Sequence, residues 1–186
     1  MKTLGKARSA EESKRIQGKN AYVYRNEQFI SIGTSSGAGI LGSDPQGSHH
    51  LLPLDASDEA LGDALIDALS KSRYVSQRED PAFSIHGLQE SYKIWVKKLT
   101  DQYKYKNRQQ LFKDMVSCNV RLAVTIQPTS MLRLANELIT MQPTRHERLN
   151  AWGGMGDPTL DIVLSGRASP AEVGAALRLT LDRCIP

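Results

Sequence analysis

Two segments of the chain carry the same pattern of apolar and polar positions. In the first, apolar residues recur at i, i+3, i+4, i+7 and i+8, namely at Leu61, Ala64, Leu65, Ala68 and Leu69. This spacing predicts an amphipathic helix over 57–72 with one buried face. Residues 167–185 align with 55–73 without gaps. The alignment indicates a duplicated unit in which one helix closes each half; a shared Ala/Leu-rich composition is the alternative explanation.

The second of these helices has a clear start. Ser169 is the expected N-cap, Pro170 stands at the first helical position, and Glu172 completes a capping box. Each helix also contains one glycine, Gly62 or Gly174, at equivalent positions. Glycine costs a helix about 1 kcal/mol relative to alanine. We therefore expect both helix backbones to lie close to a sheet or to each other.

The region before the first helix alternates in a way that predicts strands. Residues 21–33 are expected to form a hairpin with its turn at 25–27. The glycine- and serine-rich residues 33–50 are typical of a loop. Residues 50–55 form a short apolar segment, and Pro53 within it favours an edge strand.

The middle of the chain is predicted to be helical. Residues 87–116 contain two apolar stripes, Tyr92, Trp95, Val96 and Leu99, then Leu111, Phe112 and Met115. The stripes predict two helices or one bent helix. The break between them is expected at 103–107.

The second half repeats the order of elements of the first. β-Branched residues predict a strand at 120–128, and 135–144 is its expected antiparallel partner. A loop is predicted at 145–158 and a further strand at 159–165, before the closing helix.

These elements predict an α+β fold. It would consist of two pseudo-repeated antiparallel strand-strand-strand-helix units with a helical segment between them. We expect residues 1–186 to form a single domain. Pseudo-repeat 1 would span about 21–73, the helical segment 87–116, and pseudo-repeat 2 about 120–185.

Composition is that of an ordinary globular protein, with 40% hydrophobic and 24% charged residues. No stretch approaches the roughly 20 apolar residues that a membrane helix needs, and residues 1–15 lack the apolar core of a secretory signal. Cys118 and Cys184 are the only cysteines and form no CxxC motif. A reducing, cytoplasmic location without membrane contact is therefore expected.

No catalytic motif is recognisable in the sequence, so we predict no catalytic residues, no metal site and no cofactor. His49 and His50 are adjacent, so a strand would direct them to opposite faces. Surface or loop positions are expected for His49, His50, His86 and His146. Cys118 is expected to be a buried structural thiol.

The chain has a net charge of +4, and its charged residues are unevenly distributed along the sequence. Residues 71–121 hold eleven Lys and Arg against five Asp and Glu. The first helix is instead acidic, and Glu59, Asp63 and Asp67 share its face opposite the leucines. This row is either a solvated face, in which Asp58 and Glu59 complement the helix dipole, or a patch that meets a basic partner.

A second charged feature mixes cations with tyrosines between 97 and 108. Its members are Lys97, Lys98, Tyr103, Lys104, Lys106 and Arg108. Cations beside aromatic platforms suit single-stranded nucleic acid. The alternative is a solvated helix end that contributes one or two tyrosines to the core.

Four segments together resemble a known family: 61–73 (LGDALIDALSKSR), 172–184 (EVGAALRLTLDRC), 141–152 (MQPTRHERLNAW) and 103–120 (YKYKNRQQLFKDMVSCNV). The family is the group of contact-dependent growth inhibition (CDI) immunity proteins of about 180 residues. The resemblance covers about 30–186 and is clearest over 100–186.

This resemblance implies a cytoplasmic protein that is not an enzyme. It would bind the toxic C-terminal domain, commonly a nuclease, that a neighbouring cell delivers, and block it without chemistry of its own. The family supplies no binding residues position by position. From the charge asymmetry alone, Asp58, Glu59, Asp63 and Asp67 are the hypothetical toxin contacts, although a net basic chain is unexpected for an inhibitor of a basic nuclease. The alternative function is a single-stranded nucleic-acid-binding module.

Overall fold

The computed structural model describes residues 17–126 and 135–186. Within them, eight strands form one sheet, with helices on both faces. The strands are β1 (Lys19–Arg25), β2 (Ile30–Ala38), β3 (Ile40–Ser43), β4 (His49–Leu52), β5 (Val116–Ile126), β6 (Ala135–Arg148), β7 (Ala151–Gly154) and β8 (Ile162–Ser165). The helices are α1 (Asp58–Ser70), α2 (Ile85–Gln102), α3 (Arg108–Phe112) and α4 (Pro170–Arg183). The α+β prediction is confirmed.

The sheet is antiparallel and continuous across both halves of the chain. Its order is β3-β2-β1-β5-β6-β7, with β4 also paired to β2 and β8 also paired to β6. The central pair, β1 with β5, runs in register from Lys19 opposite Leu122 to Arg25 opposite Val116. The two halves therefore share one sheet.

The hairpin predicted at 21–33 is confirmed, but the prediction of a loop over the glycine- and serine-rich residues 33–50 is wrong. β2 continues through Ala38, and β3 follows after a turn at Gly39, whose φ is 88°. β2 is buried along most of its length, and a Cβ on Gly33 would overlap the ring of Tyr22. The small residues of β2 therefore permit close packing rather than flexibility.

The predicted strand pair β5–β6 is confirmed, whereas the loop predicted at 145–158 is partly strand. β6 extends to Arg148, and β7 pairs with it over 151–154. Each half thus holds four strands instead of three. The short β7 lacks the apolar alternation by which a strand is recognised in sequence. The duplication itself stays a prediction.

α1 and α4 begin as predicted and cover one face of the sheet. The Ser57 side chain caps α1, while Ser169 and Glu172 form the expected capping box of α4. The buried cluster beneath them includes Val23, Ile32, Leu61, Leu65, Leu69, Cys118, Val120, Met141, Val173, Leu177 and Leu181. Burial of each large apolar side chain contributes about 1.5–3 kcal/mol.

α2 and α3 cover part of the opposite face. Their buried cluster contains Phe29, Leu99, Tyr105, Leu111, Phe112 and Met115. The predicted break between the two helices is confirmed at 103–107, where Lys104 adopts a left-handed φ of 58°. No helix within 17–126 and 135–186 is long and apolar enough to cross a membrane.

Candidate functional site

The sheet face opposite α1 and α4 is only partly covered by α2, which leaves a cleft of about 520 Å³. Its main lining residues are Tyr22 and Tyr24 of β1, Tyr92 and Trp95 of α2, and Asn119 and Arg121 of β5. We call this concavity the aromatic cleft.

Sequence periodicity accounts for the position of its rings. Along β1, Ala21 and Val23 enter the core beneath α1 and α4, so Tyr22 and Tyr24 face the cleft. On α2, the i, i+3 spacing of Tyr92 and Trp95 places both rings on one side of the helix.

Tyr24 is the centre of the aromatic cluster. Its ring centroid lies 5.2 Å from that of Trp95 and 5.1 Å from that of Trp152. Such ring pairs contribute about 0.5–1.5 kcal/mol each beyond burial. Burial, with the neighbouring hydroxyls of Tyr22 and Tyr92, raises the pKa of Tyr24. Its hydroxyl therefore stays neutral and can donate a hydrogen bond at physiological pH.

Tyr22 is held by a short chain of hydrogen bonds. Its hydroxyl lies 3.1 Å from Ser43 Oγ and 2.9 Å from His49 Nδ1, while His49 Nε2 lies 2.9 Å from the Asp44 carbonyl oxygen. A carbonyl only accepts, so Nε2 carries the proton, and in the neutral ring Nδ1 accepts from Tyr22. Burial raises the pKa of Tyr22. The hydrogen bonds to Ser43 and His49 fix the Tyr22 ring in one orientation.

The remaining lining of the cleft combines apolar residues, such as Leu41 and Leu88, with polar ones, and its one charged group is a guanidinium. Asn119 and Gln142 are exposed amides, and Arg121 donates from Nε to the Gln17 carbonyl at 3.0 Å. In the parts of the chain that the structure describes, no group of three His, Cys, Asp or Glu could hold a metal. Aromatic rings with amides suit the recognition of a ligand or a protein segment.

Comparison with known proteins identifies the family. The family model described as CdiI, CDI immunity protein, matches residues 19–184. Immunity protein CdiI-YPIII of Yersinia pseudotuberculosis serotype O:3 (strain YPIII) is 39% identical over 178 residues, which are 88% of this chain and 94% of that protein. The chain belongs to the CDI immunity protein family.

Solved structures show the same fold for two relatives. A chain of the CdiA-CT/CdiI toxin and immunity complex from Yersinia pseudotuberculosis matches with a TM-score of 0.77 and 36% identity, covering 89% of this chain and 97% of that one. A Neisseria meningitidis protein of unknown function also matches with a TM-score of 0.77, at 34% identity, over 89% of this chain and 94% of that one. The predicted family is confirmed, and membership places the chain among immunity proteins rather than enzymes.

In this CDI immunity family member, the acidic row predicted as a toxin contact lies on α1, on the other side of the sheet from the aromatic cleft. Asp58 pairs with Arg178 at 2.6 Å, and Asp67 pairs with His50 at 2.9 Å. Hydrogen bonds from Ser48 and His50 lower the pKa of Asp67.

The other two hypothetical toxin contacts, Glu59 and Asp63, are exposed and form no ion pair with any residue that the structure describes. The four predicted contacts are therefore divided into two carboxylates with intramolecular partners and two that face solvent.

The residues of the alternative nucleic-acid site are also divided. Lys97, Lys98, Lys104, Lys106 and Arg108 are exposed. Tyr103 instead packs on Phe29, with centroids 4.6 Å apart, and Tyr105 is buried and accepts a hydrogen bond from Asn26 at 2.9 Å. Tyr105 is therefore unavailable to stack on a base, whereas Tyr103 is only half-buried.

The histidines and cysteines of the immunity protein are mostly structural. His49 and His50 point to different partners, Tyr22 and Asp67, as adjacent strand residues should. The expectation for His146 is wrong, because its ring is half-buried and stacks on Trp152 at 5.0 Å. Cys118 is fully buried, as expected.

Sequence analysis of this family member missed the aromatic cleft itself. It assigned Tyr92 and Trp95 to a helix stripe and Tyr22 and Tyr24 to strand alternation. Both assignments are correct locally. The cleft arises because α2 meets the sheet at these rings, and no local pattern specifies that contact.

Proposed function

We propose that this chain binds and neutralises the toxic C-terminal domain of the cognate CDI effector. The observation that carries the proposal is its likeness to the immunity protein CdiI-YPIII and to a chain of the Yersinia pseudotuberculosis toxin and immunity complex, across nearly the whole length of each. Neutralisation by binding requires an affinity of roughly nanomolar or tighter, near −12 kcal/mol.

We further propose that the toxin is a nuclease, that this protein inhibits it by occupying a surface rather than by chemistry, and that inhibition takes place in the cytoplasm. Family membership supports an inhibitory role, and a nuclease delivered into a cell acts on cytoplasmic nucleic acid. The buried thiols and the paired His49 and His50 leave the protein's reactive groups engaged in its own fold.

The aromatic cleft is the toxin contact that the geometry favours. It is concave, and its rings are already held in place by Trp152, His49 and Ser43, so little side-chain ordering remains to be paid for on binding. Buried aromatic residues at the centre of an interface commonly carry most of its affinity.

The exposed acidic residues of α1 are a second proposed contact. Glu59 and Asp63 could attract a basic nuclease through long-range electrostatic steering. Asp58 and Asp67 would contribute less, because Asp58 is already paired with Arg178 and Asp67 is already hydrogen-bonded to His50.

Survival of bacteria tests the proposed function. The toxin domain encoded immediately upstream of this gene is induced in cells that express the protein. Survival with co-purification of the toxin supports immunity. Death of cells in which the protein is abundant and folded would show that it does not neutralise that toxin.

Matched variants then separate the two contacts. Asn119→Arg places a long side chain in the aromatic cleft, with Gln77→Arg at an exposed loop position as its control. Glu59→Lys with Asp63→Lys and Asp67→Lys reverses the α1 row, with Glu27→Lys on the β1–β2 turn as its control. If only Asn119→Arg loses affinity for the toxin, the contact is in the cleft. If only the α1 charge reversals lose affinity, the contact is on α1.

A further inference from the structure

Two smaller cavities continue the aromatic cleft on different sides. One, of about 260 Å³, lies against α2 and α3 and shares Tyr92 with the cleft. The other, of about 220 Å³, lies at the β7–β8 connection and shares Asn119 and Gln142 with the cleft. The three concavities adjoin one another through these shared lining residues, and we call them together the binding track.

The α2–α3 end of the binding track is basic. Lys93, Lys97 and Arg108 line it, against a single lining carboxylate, Asp101. Lys97 pairs with Asp101 at 2.8 Å and Lys93 pairs with Glu90 at 2.7 Å, both exposed to solvent. Arg108 forms no ion pair with any described residue and therefore gives this end an excess of positive charge.

The β7–β8 end of the binding track is acidic. Asp157 and Asp161 line it, and no lining residue there is a cation. Asp157 accepts hydrogen bonds from Thr159, which lower its pKa, and Asp161 accepts one from Gln142 at 3.0 Å. Arg183 reaches the same turn but donates to a backbone carbonyl. Both carboxylates thus keep oxygen lone pairs that are not used within the protein.

We propose that the toxin segment seated in the binding track has a matching charge polarity. Acidic side chains would lie over Lys93, Lys97 and Arg108, and Lys or Arg side chains would lie over Asp157 and Asp161. The inference rests on the proposed function and adds to it the chemistry and direction of the bound segment. A reversed segment would place like charges together at both ends, which discriminates against other registers and other toxins.

The polarity is also compatible with the net positive charge of the chain. A net basic inhibitor of a nuclease is unfavourable if its partner is uniformly basic. Binding to a track with opposite charges at its two ends requires complementary charges only on the toxin segment that lies in the track. Recognition in this arrangement does not depend on the net charge of either protein.

Charge reversal at each end tests the inference. Arg108→Glu and Asp161→Lys are compared with Lys106→Glu, two residues from Arg108 but outside the track, and with Glu27→Lys. The toxin domain encoded beside this gene is the probe, and affinity is measured at low and at physiological ionic strength. Each track variant should lose about tenfold or more in affinity, more at low salt, while the controls stay within about twofold of wild type.

Cross-linking tests the direction. A benzophenone side chain is placed at position 97 in one variant and at position 161 in another, and the linked toxin peptides are identified by mass spectrometry. Toxin peptides linked to position 97 should carry Asp or Glu next to the cross-linked residue. Toxin peptides linked to position 161 should carry Lys or Arg there. The reverse assignment, or the same toxin residues at both positions, would overturn the polarity.

The outcomes separate this inference from the function on which it rests. If the wild-type protein forms no complex with the toxin, the proposed function fails and the polarity fails with it. If a tight complex forms and the track variants match their controls, the polarity alone is wrong. Circular dichroism confirms the fold of each variant, which substitutions at exposed or, for Asp161, half-buried positions should leave intact.

Discussion

Gly62 on α1 lies against the Pro170 carbonyl of α4, and Gly174 on α4 lies against the Asp58 carbonyl of α1. The contact is reciprocal, because each glycine meets the first turn of the other helix. A Cβ at either glycine would overlap backbone atoms that cannot rotate away. The absence of two side chains thus allows the two helices to approach closely.

Gly62→Ala should therefore destabilise the protein, although alanine ordinarily favours a helix by about 1 kcal/mol. We expect the free energy of unfolding to fall by about 1–3 kcal/mol because the helices must separate. Gly174→Ala should have a similar effect. Urea unfolding measures both, with Gly154→Ala as the control, since a Cβ there meets open space. Unchanged or raised stability of Gly62→Ala would contradict the close approach.

The Asp44–Arg73 pair should govern stability in acid. The Asp44 side chain is fully buried and accepts from Arg73 Nε at 2.7 Å. Burial raises the pKa of Asp44, but hydrogen bonds from Arg73, Ser36 and Gln46 outweigh burial and leave the pKa below its usual value. A carboxylate with a lowered folded-state pKa stabilises the fold above its unfolded pKa of about 4, and this contribution is lost as pH falls through the folded pKa.

Asp44→Asn should lower the free energy of unfolding by about 2–4 kcal/mol near neutral pH, because the Arg73 guanidinium loses its buried partner. The difference from wild type should shrink below about pH 4. Urea titrations across acid pH measure it. Asp182→Asn is the control, since its pair with Arg25 is largely exposed and worth less than about 1 kcal/mol. A constant difference at all pH values would show that the charge is not responsible.

Arg178 ties α4 to the start of α1. It donates to the Asp58 carboxylate and to the carbonyls of Leu54 and Ala56. Arg178→Met keeps much of the side-chain length but removes all three bonds, so we expect a loss of about 1–3 kcal/mol. Arg178→Lys should recover only part of it, because an ammonium lacks the guanidinium fork. Exposed Arg167→Met is the control in thermal unfolding, and equal effects of both would contradict this role.

Cys118 should resist thiol reagents while the protein is folded. Burial, with the adjacent Cys184, raises the pKa of the Cys118 thiol, and the thiolate is the reactive form. Labelling at mildly alkaline pH should therefore proceed at the rate of unfolding and become rapid in concentrated urea. Rapid labelling of Cys118 in native protein, followed by mass spectrometry, would show that the site is accessible.

The parts of the fold that sequence predicts are those fixed by local chemistry. The leucine stripe of α1, the capping box of Ser169 and Glu172, and the break after α2 all depend on neighbours within a few residues. The glycines at 62 and 174 also indicated a close helix contact, because their local cost requires a distant cause.

The parts that sequence misses depend on distant partners. β2 resembles a loop in composition, yet its small residues accommodate the Tyr22 ring of the neighbouring strand. The four acidic residues of α1 predicted as toxin contacts look alike in sequence, but His50 and Arg178, neither of them on α1, pair with two of them. The binding track likewise combines side chains from both halves of the chain, and only the pairing of β1 with β5 brings them together.

That central strand pair has a consequence for the timing of protection. β1 and β5 lie about a hundred residues apart in sequence, and α4, which completes the main core, follows both of them. Contacts of such long sequence separation slow folding and form only when both partners have been synthesised. A chain in which β5 has not yet paired with β1 has neither a continuous sheet nor a complete track. Binding of a toxin at the track therefore has to wait for the slow, long-range step that joins the two halves of the sheet.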